Sequence, residues 1–354
     1  MISQSLRAPF ALLLLSLSSP PGGAAEPPAL KPISGPLDAG NGFAFANEEK
    51  KTRRSLSGIA CPAAPTAQGL CLTVFDEGGE ARYLTIEGAA IRPDGERVVL
   101  IPGQIELDGE AAATDGTFYY VAGSHSAKRS DCKTNRQSRH LIRFRVDPDT
   151  GRAKRDGAGK LADFTDTGAL WTLMSSFPAL KAYVGDGMCL GTKPPGKNGV
   201  NIEGMAARDG RLFFGFRGPV AKDGAKILSV NAKALFEGGD ADPKLFTVAL
   251  EEGRSVRDLL AVSDGILVLA GPDDDEANEK RSFTVSRWNG KEGKDNVKPL
   301  ARLDLSGVKL RDCDKETKPE AIAVLGEKPG QPYQAVIFSD GLCDGGALRF
   351  SIPR

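Results

Sequence analysis

The sequence predicts an all-β chain folded as one five-bladed β-propeller, on three observations: a phrase that recurs five times, a hairpin signal inside each recurrence, and short apolar runs following it. The clearest copy is Glu203-Gly204-Met205-Ala206, then Asp209-Gly210, then the apolar run 212–216. It recurs without a gap as Asp258-Leu259-Leu260-Ala261, Asp264-Gly265 and 266–270. Looser copies open at Ser57, Glu110 and Glu320, so the intervals between starts are 53, 93, 55 and 62 residues. Each copy generally places an Asp-Gly type turn between two apolar stretches, which is how a hairpin is written. Runs at 141–146, 227–230, 283–288 and 298–305 supply further strands. Four short strands in about 40–55 residues make a propeller blade.

Residues 1–25 read as a signal peptide: Arg7 gives the positive start, 10–17 the apolar run, and Gly23-Ala24-Ala25 the small-residue cleavage site before Glu26. The run is shorter than the roughly 20 residues that span a bilayer, and no longer one follows. The mature chain, 26–354, is therefore expected to be a single soluble, exported domain, periplasmic or extracellular. The last copy has only 35 residues, room for three strands. A segment within 28–37 is expected to supply its outer strand and close the ring. In the 93-residue interval, Leu170, Leu173, Met174 and Phe177 keep helical spacing until Pro178, so a helical insertion of about three turns is expected around 167–184. A degenerate sixth blade is the alternative.

Composition narrows the function classes. Lys+Arg at 46 balance Asp+Glu at 46 with no basic stripe, which leaves no footprint for nucleic acid. A chain 40% hydrophobic and 26% charged is globular rather than disordered. Six cysteines in an exported chain suggest three disulfides. Propeller geometry selects Cys61–Cys71 across one hairpin. It also pairs Cys132–Cys189 and Cys313–Cys343, each joining a loop between second and third strands to the entry of a blade. The nucleotide, zinc-protease and serine-hydrolase motifs are absent. Oligomeric state is not encoded legibly.

The first residue of each copy, Ser57, Glu110, Glu203, Asp258 or Glu320, falls at one mouth of the central channel. The ends of the second strands bring Asp76, Ser124, His125, Arg217 and Asp340 to the same face, with Asn201 and Arg257 beside the acids. Glu110, Glu203, Asp258 and Glu320 form a candidate set for calcium or another divalent cation. Arg217, Arg257, Asn201 and Ser124 are candidate contacts for a small-molecule or anionic ligand. The bland alternative is that each carboxylate accepts backbone N–H groups from the next blade. Lys128, Arg129, Lys133, Arg136 and Arg139 put a basic loop on this face, and residues 273–276 put an acidic one there.

Gly123-Ser124-His125-Ser126, Asn201-Ile202-Glu203-Gly204, Arg217-Gly218-Pro219, Arg257-Asp258-Leu259, Arg287-Trp288-Asn289-Gly290 and Pro319-Glu320 occur in this order. Together they resemble a bacterial exported propeller family of unknown function, over about residues 57–340. Through the Glu-Gly-x-Ala phrase the chain is also distantly similar to phytase-like esterase propellers. The resemblance implies a propeller and no assigned reaction. Ser57 and Ala111 depart from the acidic and glycine positions of the phrase. Three functions follow as expectations: ligand binding at the channel mouth, cation-dependent phosphoester hydrolysis with His125 as general acid or base, or pure scaffolding.

Overall fold

A computed structural model describes residues 26–46, 49–63, 68–103 and 106–354; the expected signal peptide, 1–25, lies outside the described residues. After β1 (Ala29–Leu30), nineteen strands form five sheets. Blade one holds β2 (Leu56–Ala60), β3 (Leu70–Phe75), β4 (Glu80–Glu87) and β5 (Ala90–Val99). Blade two holds β6 (Gly109–Thr114), β7 (Phe118–Gly123), β8 (Leu141–Arg145) and β9 (Thr165–Thr167). Blade three runs from β10 (Asn201–Arg208) through β11 (Arg211–Gly218) and β12 (Ala225–Asn231) to β13 (Lys244–Val248). Blade four comprises β14 (Arg254–Val262), β15 (Gly265–Pro272), β16 (Thr284–Trp288) and β17 (Val297–Leu303). Blade five has three strands, β18 (Lys318–Val324), β19 (Tyr333–Asp340) and β20 (Leu348–Ile352). Five blades are therefore present, and the sixth-blade alternative is set aside.

The first strand of every blade is innermost, and each packs against its neighbours until β18 meets β2 and the ring closes. The innermost backbones approach so closely that a Cβ on Gly204 would lie 2.7 Å from the Asp258 Cα, and one on Gly58 2.8 Å from the Ala112 nitrogen. Glycine follows the first residue of those two copies because the next blade occupies the space. Outside this ring, one apolar core fills each gap between blades. Tyr83 and Phe144 share one such core, Tyr120 and Phe214 another, and Phe213 with Val256, Leu269 with Ile322, and Phe75 with Phe338 mark the other three. Each such buried side chain contributes about 1.5–3 kcal/mol, so the blades are held by their faces rather than by a central core.

The 93-residue interval belongs to blade two and its exit. A small hairpin, with bridges Val146–Ala153 and Arg155–Leu161, separates β8 from β9. Helix α2 (Ala169–Ser176; the earlier α1 spans Glu49–Arg53) then buries Leu170 and Met174 against blades two and three. At eight residues it is shorter than the expected three turns. The Phe177 N–H closes the last bond, to Leu173, and Pro178 has no N–H to continue it.

The N-terminal segment does not complete blade five. Strand β1 instead pairs in parallel with β17, at the outer edge of blade four. The chain then crosses blade five, where among the described residues its backbone donates from Ile33 to Arg349 and from Leu37 to Ala347, and it reaches blade one at the Asp38–Ala90 bridge. Pro32 and Pro36 explain this, since a segment with two prolines lacks the N–H groups of a ladder. Beyond it, the Asp344 carboxylate accepts from the Phe43 N–H at 2.8 Å and from the Arg53 Nε at 2.9 Å. The result is a belt spanning blades four, five and one. Disulfides join Cys61 to Cys71, Cys132 to Cys189 and Cys313 to Cys343.

Candidate functional site

Every innermost strand carries a β-bulge at the same level. The ladder skips Ser57 in β2, Glu110 in β6, Glu203 in β10, Arg257 in β14 and Glu320 in β18. A bulge leaves one residue unpaired and re-aims its side chain, and here each blade offers one such residue to the ring of innermost strands. The gap-free match of Glu203 to Asp258 is thus one residue out. Blade four follows blade three at an offset of 54, and a slip of one sends a side chain to the other face. Arg257 takes the bulge position, while Asp258 enters the wall between blades. There the Asp258 carboxylate accepts from the Leu259 N–H at 2.7 Å and from the Ile322 N–H of blade five at 2.8 Å. Asp258 therefore drops out of the acidic cluster and plays the structural role foreseen for such carboxylates.

The other three acids converge. Oxygens of Glu110, Glu203 and Glu320, from three blades, lie within 4.8 Å of one another. Arg217, at the end of β11, donates to Glu203 at 3.0 Å and to Asp274 at 3.2 Å. Arg257 donates to Glu203 at 3.2 Å, to Glu320 at 3.3 Å and to the Pro272 carbonyl at 2.7 Å. Burial raises the Glu203 pKa, but Arg217 and Arg257 outweigh it and hold the group below its ordinary value. Glu110 is pushed well above its ordinary value by burial and then by Glu203 and Asp108. Burial, Glu203 and Asp340 likewise raise Glu320 against the opposing guanidiniums.

Glu110, Glu203 and Glu320 line a cavity of about 440 Å³. Asp76, Ser124, Asn201, Arg217 and Asp340 all line it, and Arg257 lines an adjoining cavity of about 570 Å³ that shares Arg129, Arg217 and Lys318. His125 is not among the lining residues. It is wholly buried with Nδ1 2.9 Å from the Gly123 carbonyl oxygen, and its backbone turns left-handed (φ 56°) just past the end of β7. Glu106, Asp108, Ser126, Asn135 and Lys318 line the cavity without having been singled out from sequence. A signal existed for two of them, because Asp108 and Lys318, like Asn201, precede a bulge glutamate by two residues. Burial raises Asp108 to about 6, with the Ser124 hydroxyl that it accepts pulling the other way and Glu106 adding to the rise.

The basic loop divides. Lys128 and Arg129 line the mouth, and Arg129 pairs with Asp274 of the acidic loop, strapping blade two to blade four. Lys133 pairs with Asp131 at 2.7 Å, and Arg139 pairs with Asp186 while stacking 3.6 Å over the Trp171 ring. Those two serve the loop rather than the cavity.

Among solved structures, the chain is similar to a glycosyl hydrolase from Bacteroides ovatus at 12% identity, covering 93% of this chain and 94% of that one, with a TM-score of 0.41. It is also similar to the PQQ-bound form of an aldose sugar dehydrogenase from Streptomyces coelicolor, at 14% identity, 93% and 99% coverage and a TM-score of 0.40. No curated protein matches it. Residues 142–344, from β8 in blade two to the turn before β20, match the family described as Protein of unknown function (DUF3616), and the chain belongs to that family.

Proposed function

We propose that the protein works outside the cytoplasm and binds a small hydrophilic ligand in the mouth of its central channel. The observation that carries the reading is the cavity itself. Its volume of about 440 Å³ is within the usual range for small-molecule sites, and Ala127 and Leu190 are its only apolar lining residues. Buried Ser126 Oγ and Asn201 Oδ1 have no hydrogen-bond partner among the described residues, so polar capacity is left for an occupant. Three disulfides support an oxidising compartment, and no described helix is long and apolar enough to cross a membrane. The hydrolase alternative gave proton transfer to His125, which lies outside the lining.

Thermal unfolding of the mature protein against sugars, polyols, amines, dicarboxylates and phosphate esters tests the proposal. A ligand specific to the native state raises the midpoint, by about 2.7 kcal/mol of stability at one hundred times its Kd. The expected result is a saturable shift that Asn201→Ala and Asp76→Asn each diminish. A shift unchanged in both variants would move the site off the mouth, and no shift across the panel would favour scaffolding.

A further inference from the structure

We infer that Glu110, Glu203 and Glu320 hold one hard divalent cation, calcium by their donor chemistry, with the side-chain oxygen of Asn201 as a neutral fourth ligand. The inference rests on reading the mouth as a binding site and names one occupant of it.

Two independent observations meet here. The first is the convergence of three carboxylates within 4.8 Å, brought by bulges from three separate blades. Arg257 donates to Glu203 and Glu320, and Arg217 to Glu203, but no hydrogen bond or ion pair reaches Glu110 among the described residues. The second is Asn201. It is 6% exposed, lines the same cavity, and its Oδ1 is buried with no donor. A buried acceptor without a partner calls for an explanation such as an ion or a water. Asn201 precedes Glu203 by two residues on β10, so an ion at the carboxylates would be within the same neighbourhood.

The donors select the metal class. All are oxygens, and neither His nor Cys joins the group, which disfavours zinc and copper. Oxygens that all lie within 4.8 Å of one another can be reached by one ion at the about 2.3–2.6 Å of a calcium–oxygen bond, and calcium tolerates irregular coordination where magnesium demands a near-ideal octahedron at about 2.0–2.1 Å. Carboxylates binding through both oxygens, together with water, would fill the six to eight positions that calcium takes.

Calorimetric titration of EDTA-treated mature protein with calcium, magnesium and zinc chlorides decides the matter, with thermal unfolding run in parallel. Calcium is expected to bind one to one, to raise the midpoint saturably and to exceed magnesium in affinity. Glu110→Gln is expected to abolish that binding and to raise the metal-free midpoint, because it removes an acid whose ionisation is opposed by burial and by Glu203 and Asp108. Glu320→Gln provides a second variant should the first fold poorly, and Asn201→Ala is expected to weaken binding about tenfold. Absence of calcium binding, or unchanged affinity in both glutamine variants, overturns the site. Unchanged affinity in Asn201→Ala removes the fourth ligand, and preference for magnesium or zinc overturns the metal. Calcium binding without any small-molecule ligand would leave this inference standing while removing the broader one, and the converse would separate them the other way.

Discussion

His125 is wholly buried, and burial pulls its pKa down to about 4, with the Gly123 carbonyl opposing only in part. An unfolded histidine takes its proton near pH 6.5, so between those values the unfolded chain binds a proton that the native one refuses. The contribution of His125 is present above pH 6.5 and is lost as pH falls toward 4. The expected loss is on the order of 3 kcal/mol, at 1.36 kcal/mol per pH unit. Urea unfolding at pH 7 and pH 4.5 in wild type and His125→Gln measures it; an equal slope in both would assign the effect elsewhere. At this scale the sequence was readable at strand ends, as at Asn201, Arg217 and Asp340, which the hairpin signals bring to one face. It misled at Asp258, since an unpaired residue in β14 shifts the phase by one and leaves no mark in composition.

The disulfides act at the level of elements, by tying loops. Their closures span 10, 57 and 30 residues for Cys61–Cys71, Cys132–Cys189 and Cys313–Cys343. On a loop-entropy argument these constrain the unfolded chain by about 2.7, 4.2 and 3.6 kcal/mol. Paired Cys→Ser variants should therefore lose stability in that order, with Cys132→Ser/Cys189→Ser the most affected in denaturant unfolding. An inverted order would place the stabilisation in native contacts instead. Helix α2 was legible because Leu170 and Met174 share one face, and so was its end, because Pro178 follows the closing bond at Phe177.

Ring closure is a property of the whole molecule, and the belt is the part that the repeat could not announce. Copies of a phrase locate blades, but a proline-bearing segment carries no phrase, and its partners lie some 270 to 320 residues away at Arg302, Arg349 and Ala347. Deleting residues 26–41 would bare the outer edges of β17 and β20, which are templates for intermolecular pairing. The expected outcome is a lower midpoint and stronger light scattering on heating; unchanged values in both would show that the blade faces alone close the ring. The order of manufacture gives the belt another meaning. Its residues are made some 270 to 320 positions ahead of their partners Arg302, Ala347 and Arg349. The belt must wait undocked until blade five has been made, so a chain stalled or clipped within that blade leaves the belt uncovered. An exposed N-terminal segment would then mark an unfinished molecule to any protease in its compartment.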